Sequence, residues 1–409
     1  MNACRYCGLP LKHSVCDLGM LPLANSYLAE AQVGEPEMFY PLHARICSDC
    51  LLLQVGELQP PASEINERAC LSSHAQRLRE DVTDFAQRLT DCFSLDRSTQ
   101  VLEIGSGDGS LVRNFITAGI PAVGVEPDEK VAAIARRQGI PTEIGSFGAE
   151  LARTLVRRGQ GADLLIGDNV LAHTGNLKDV VAGLSIVLAP DGVITMDFPH
   201  VLQLIVRNQF DTIRHDCFSY FSLLTLGRVF DANGLRVFDV DRVGGNGGSL
   251  RIYACHKRFA ARQTTGRVRE IENAERDAHL DSLEGYLGYP EEVSRIKRNL
   301  LRYLIEARDL GYATVAYGAA ANGNTLLNYC GIRDDLVSYA VDRSPHKQGK
   351  FLPGTHLPIY PPSRIRETRP DYVLVLPWHL RDEITAELSY IREWGGRFIV
   401  PIPELSIVR

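Results

Sequence analysis

The sequence predicts an α/β chain of several domains, in which a small cysteine module precedes two nucleotide-type folds. Three observations predict it. Four of the ten cysteines fall in two C-x-x-C pairs within the first fifty residues. Two apolar strands, near 101–104 and 313–317, each run into a glycine turn and then a helix. The length of 409 residues also exceeds what one ordinary core accommodates. Hydrophobic residues at 45% and charged ones at 23% exclude disordered, collagenous and coiled-coil chains. The balance of 44 basic against 50 acidic residues, net −6, argues against a broad electrostatic hold on nucleic acid or on an anionic membrane. No apolar run approaches the roughly 20 residues of a membrane helix. The opening Met1-Asn2-Ala3-Cys4-Arg5-Tyr6-Cys7 has no apolar stretch of signal-peptide type, so a cytoplasmic protein is expected.

The first module spans 1–70. Cys4 and Cys7 form one pair and Cys47 and Cys50 the other, and four thiolates can close tetrahedrally around one Zn²⁺. With four cysteines no position stays open for water, so the site is expected to be structural. The alternative is two cysteine pairs without metal. A redox C-x-x-C would begin a helix after a buried strand, and neither pair does. The insert of 39 residues between the pairs should carry structure of its own, with residues 17–25 packing on the next domain. The remaining cysteines (Cys16, Cys70, Cys92, Cys217, Cys255 and Cys330) are scattered, which does not suggest a disulfide scaffold.

The middle domain spans 71–260. Leu78, Val82, Phe85, Leu89 and Phe93 recur at helical spacing. The strand at 100–104 then meets Gly105-Ser106-Gly107-Asp108-Gly109, and a second strand ends in Glu126, nineteen residues beyond Gly107. Glycines let a backbone approach a ligand closely, and an acid at the next strand end can take both ribose hydroxyls. Dinucleotide enzymes space their glycines as G-x-G-x-x-G. Here Glu103 precedes the first glycine by two, and Glu-Ile-Gly-Ser-Gly-Asp-Gly resembles motif I of the class I S-adenosylmethionine (SAM) methyltransferases, whose turn receives the amino-acid part of SAM. Expected cofactor contacts are therefore Glu103, Gly105, Gly107 and Glu126. Asp168 and Asn169 leave the fourth strand where cofactor and substrate should meet, and Phe147 would lie near the adenine. Residues 188–194 resemble the L-x-P-G-G turn late in that fold.

The last domain spans 261–409. Its first part, 262–310, reads as a charged, solvated connecting helix. A strand at 313–317 enters Gly318-Ala319-Ala320-Ala321-Asn322-Gly323-Asn324, a loop whose amides can face an anion at a helix start. Further strands end at Asp342, before Pro377-Trp378-His379, and at Val400. This is a second Rossmann-like unit. A nucleotide-sugar diphosphate would suit it, although the loop could also merely pack.

Taken together, these parts resemble the sugar C-methyltransferases of deoxysugar antibiotic biosynthesis. The likeness covers the whole chain and is most specific at 17–28, 167–173, 218–222, 247–251, 323–329 and 342–359. It implies a dTDP-linked 4-keto-deoxysugar, deprotonated beside its ketone to an enolate whose carbon attacks the methyl of SAM. It implies substrate contacts at Tyr220, Asn246, Ser249, Arg251, Asn322, Asn324, Asp342, Lys347 and Lys350.

The sequence departs from the family at its catalytic loop. Where the family reads Tyr-His-Glu-His, this chain has Arg214, His215, Asp216 and Cys217, so Cys217 replaces the base. Cys70 stands for a sugar-facing tyrosine, Asn322 for a lysine and Asn246 for a histidine, while His173 is kept. The expected reacting surface comprises Cys217, His215, His173, Cys70, Asp216 and Arg214. Methyl transfer could proceed with His215, a Cys217 thiolate or His173 as base. The alternative is isomerisation or ring contraction of a nucleotide keto-sugar without methyl transfer. A nucleic-acid methyltransferase is disfavoured by the acidic balance, since the knuckles offer little beyond Lys12 and His13. The sequence does not set an oligomeric state.

Overall fold

A computed structural model describes residues 3–57, 76–244 and 247–409, so Cys70 and Asn246 lie outside the described residues. The side chain of Leu78 does too.

The middle domain is built on a seven-stranded sheet. Its order is Leu235–Val243, Ser249–His256, Leu188–Pro199, Ala162–Asp168, Val101–Ile104, Ala122–Glu126 and Thr142–Ile144. The last five run parallel, while Ser249–His256 pairs antiparallel with both neighbours. Every residue of Val101–Ile104 is buried, as expected of a central strand covered by helices on both faces. The chain lays the next strands to one side of it and later ones to the other. That reversal opens a crevice at the carboxyl ends of the strands, where ligands bind in such sheets.

The N-terminal sheet contains His13–Leu21, Tyr40–Ile46 and Leu53–Gln54, and takes its fourth strand, Ser219–Tyr220, from the middle of the chain. The C-terminal sheet runs Ile359–Tyr360, Ala340–Val341, Thr314–Tyr317, Tyr372–Val375, Arg397–Val400, Ser406–Val408, and only its last pairing is antiparallel. Among the described residues no helix is long and apolar enough to cross a membrane.

Two expectations are corrected. Residues 262–310 are not a solvated connector. Helix Tyr289–Asp309 buries Val293, Ile296, Leu300 and Leu304, a stripe at three- and four-residue spacing, and packs on His13–Leu21. Charges on its outer face dominate the composition and conceal that stripe. Helix Gly266–Asp277 lies on Leu235–Val243, and its fully buried Glu275 accepts from the amides of Leu223 (2.6 Å) and Leu224 (2.9 Å) and bonds His200 Nε2 at 2.7 Å. This carboxylate caps helix Leu223–Asp231 from outside it.

The second correction concerns residues 17–25. They meet the C-terminal domain rather than the one that follows in sequence, since His13–Leu21 packs on helix Ala321–Cys330 and Pro22 lies against Gly354. The contact continues beyond them. Tyr27 Oη donates to the Ala319 carbonyl at 2.6 Å, and Glu37 accepts from the Gly354 amide and from His356 Nε2 at 2.9 and 3.0 Å.

Candidate functional site

The two knuckles bring their sulfurs together. The Sγ atoms of Cys4, Cys7, Cys47 and Cys50 all lie within 4.8 Å of one another, with Cys4–Cys50 at 3.6 Å and Cys7–Cys47 at 3.4 Å. Tetrahedral zinc with Zn–S of about 2.3 Å sets sulfurs about 3.8 Å apart, so the donor set fits zinc and leaves no open position. Gln54 Nε2 donates to Cys4 Sγ at 3.2 Å, the kind of supporting contact that orients a metal ligand.

At the glycine turn, Gly105, Gly107 and Gly109 have φ of 70°, 55° and 77°. A side chain at Gly109 would also press within 2.8 Å of Ile140. Glu126 closes the turn from the neighbouring strand end, accepting from the Gly107 and Asp128 amides at 2.9 Å each. Beneath it Glu103 is buried with no hydrogen-bond partner for Oε2. Burial, with Asp168 close by, holds its carboxyl well above the usual range. Asp168 is pushed up to about 6 by burial and by Asp197. Strand register aligns Asp168, Asp197 and Arg251 across three strands, and Arg251 grips Asp197 through two hydrogen bonds of 2.7 and 2.6 Å while stacking on Phe85 at 3.8 Å. A crevice this rich in carboxyls, one of them with an unpaired oxygen, suits a cationic ligand, and SAM carries both a sulfonium and an ammonium. Phe147 is different. It is buried against helix Leu177–Val187, where a side chain at Gly183 would come within 2.9 Å of its ring.

Asn169 turns the chain at φ 55°, donates to Asp168 Oδ1 at 2.8 Å and starts the short helix Val170–His173. One turn on, His173 Nδ1 bonds the Asp216 carbonyl, and the Phe218 amide donates to the Ala172 carbonyl at 2.7 Å. The loop 214–218 therefore closes onto the strand exit. Within it Arg214 and Asp216 form an ion pair of 3.1 Å. His215 is buried, with Nε2 on the Tyr40 carbonyl at 3.2 Å, and burial lowers its pKa. The Cys217 thiol is buried, points toward the Ser219 carbonyl and is pushed up to about 11 by burial. Tyr220 is 1% exposed, and its hydroxyl accepts from the Arg214 amide at 3.0 Å, so it braces the loop from inside the core.

The C-terminal loop is held just as tightly. A side chain at Gly323 would meet Leu376 at 2.8 Å, so the helix sits directly on the sheet. Asp342 accepts from the Ala319 amide (2.9 Å), the Ser344 amide (2.8 Å) and Lys347 Nζ (3.0 Å). Asn322 is half-buried in the first helical turn, whereas Asn324 is 1% exposed and bonds Asn328 within the helix. Lys350 is exposed, and Ser249 is half-buried opposite Pro199 at the start of its strand. Asp197 and Tyr27 were not expected. Asp197 becomes visible only once three strands are in register, and Tyr27 lies within the distinctive 17–28 stretch.

Strand order, glycine turn and flanking acids define a class I SAM-dependent methyltransferase. The chain matches family models for a zinc binding domain over 4–63, a methyltransferase domain over 74–240 and a C-methyltransferase C-terminal domain over 245–403. It is 31% identical to the C-methyltransferase NovU of Streptomyces niveus over 411 residues, covering all of this chain and 97% of NovU. The protein belongs to this C-methyltransferase family, with SAM and zinc as its cofactors. Among solved structures, the magnesium protoporphyrin IX methyltransferase of Synechocystis PCC 6803 with bound SAH is 16% identical, over 49% of this chain and 90% of that one, at a TM-score of 0.35. The CcbJ methyltransferase of Streptomyces caelestis is 13% identical, over 43% and 89%, also at 0.35. Neither adds to what the strand order already establishes.

Proposed function

We propose that the protein methylates the carbon beside the ketone of a dTDP-linked 4-keto-deoxysugar through an enolate, with His173 as the base. One observation carries the choice of base. A carbonyl can only accept, so His173 Nδ1 bonded to the Asp216 carbonyl keeps its proton, and the neutral ring presents Nε2 as its basic nitrogen. The rival bases fare worse. His215 is buried and that burial lowers its pKa, and the Cys217 thiol, pushed up to about 11, is neutral near pH 7.

SAM supplies an electrophilic methyl on a cationic sulfur. The chain's own residues do the rest. The glycine turn and Glu126 hold the cofactor, Asp168 and Asn169 face its reacting end, and His173 takes the proton that the ketone has acidified. The sugar nucleotide lies between the middle and C-terminal domains, with its diphosphate toward the 318–324 loop and Lys347. The partner is then a small cytoplasmic nucleotide sugar, and neither nucleic acid nor membrane is required.

Incubation with methyl-labelled SAM and a panel of dTDP-4-keto-deoxysugars, followed by mass spectrometry, tests this. Label on the sugar with release of S-adenosylhomocysteine is expected. A sugar altered in retention at constant mass, with SAM intact, would sink the proposal and assign isomerisation or ring contraction. Glu126→Ala should weaken SAM binding about 10- to 100-fold in calorimetric titration, as loss of a charged hydrogen-bonding partner does.

A further inference from the structure

We infer that Arg5 is a positioning residue through which the zinc knuckle sets the orientation of His173. Arg5 stands between Cys4 and Cys7 yet directs its side chain to the catalytic loop. Its amide donates to Gln54 Oε1 at 2.9 Å, and the same Gln54 supports Cys4 Sγ. Its guanidinium donates to the Val55 carbonyl at 2.6 Å and reaches the carbonyls of Thr174 and Gly175 at 3.4 and 3.5 Å. The same group lies 5.2 Å from the centre of the Phe218 ring.

Backbone bonds join these segments into one ladder. The Val55 amide donates to the Phe218 carbonyl at 3.1 Å, and the Phe218 amide donates to Ala172. His173, next in sequence, bonds Asp216, two residues before Phe218. One guanidinium thus ties the first knuckle to the chain on both sides of the His173–Asp216 contact. A planar fork of five donors can hold several carbonyls and an aromatic face at once, and a lysine ammonium cannot. Four thiolates fix where Arg5 begins, and Arg5 fixes the 172–175 and 216–218 backbones. The knuckle thereby acts on the imidazole without touching it.

The inference rests on His173 as the base, and its test separates the two. The full-length zinc-loaded protein is labelled with ¹⁵N-histidine, and the His173 signal is assigned against His173→Gln. Wild type should show the Nδ1–H tautomer. In Arg5→Met, with zinc content and SAM affinity preserved, His173 should move to a mixture of tautomers, and exchange at the Phe218 amide should accelerate about tenfold or more. Arg5→Lys, which keeps the charge and disturbs the fold least, should give the same change in part. Removing zinc with a chelator should reproduce the Arg5→Met spectrum, and turnover of Arg5→Met should fall about 10- to 100-fold at nearly constant KM. An unchanged His173 tautomer and unchanged Phe218 exchange in both variants overturn the inference. Altered tautomer and exchange at unchanged turnover uphold the coupling and remove His173 from the base role.

Discussion

His173→Gln should lower methyl transfer by about 10²- to 10⁴-fold, the usual contribution of a positioned general base, while SAM binding stays within about twofold. Glutamine can still donate an N–H toward the Asp216 carbonyl that His173 Nδ1 now holds, so the loop keeps its anchor and only the basic nitrogen is lost. A direct measurement is the rate at which the keto-sugar takes up solvent deuterium when S-adenosylhomocysteine replaces SAM, since this reads proton removal without methyl transfer. Wash-in should fall together with turnover. Cys217→Ala is the companion experiment. With its thiol pushed up to about 11, only about one molecule in ten thousand carries a thiolate at pH 7, so the variant should keep turnover within about threefold. A collapse of wash-in in Cys217→Ala with His173→Gln unaffected would transfer the role to the thiol.

That choice of base marks the limit of what could be read from the chain. The zinc ligands were legible because two C-x-x-C pairs state their own chemistry, and the cofactor fold because a buried strand, a glycine turn and an acid nineteen residues on are local features. Ranking His173, His215 and Cys217 was not legible, because burial and the partner of each ring nitrogen or thiol depend on which segments fold over the loop. Tyr40 and Arg5 come from the N-terminal module, 175 residues from His215 and 169 residues from Thr174 respectively. The alignment of Asp168, Asp197 and Arg251 likewise needs the register of three strands. Helix Tyr289–Asp309 was misread for a compositional reason, since Arg and Glu on its solvent face outnumber the apolar residues of its buried stripe.

Asp211→Asn should stabilise the protein about three times as strongly at pH 8 as at pH 5. Asp211 is fully buried in the turn Phe210–Thr212, where Oδ2 accepts from Trp378 Nε1 of the C-terminal domain at 2.8 Å and Oδ1 has no hydrogen-bond partner. Burial pushes its carboxyl up to about 7, against about 3.9 in an unfolded chain. Between these values the folded state holds a proton that the unfolded state has released. Stability must therefore fall as pH rises from about 4 to about 7, and the gap is worth about 4 kcal/mol at pH 8. Asparagine keeps the acceptor for Trp378 and cannot ionise, so it removes that penalty. Thermal unfolding of both proteins at pH 5 and pH 8 checks this, and the difference in Tm should be about three times larger at the higher pH. An equal difference at both would mean that Asp211 ionises as it does in water. The site matters because Phe210 also packs edge-on against Tyr329, with ring centres 5.3 Å apart, so the ionising group sits where the C-terminal domain meets the segment leading into the 214–218 loop. A charged Asp211 prefers water to this buried position, so raising the pH through about 7 should favour opening of the contact between the middle and C-terminal domains.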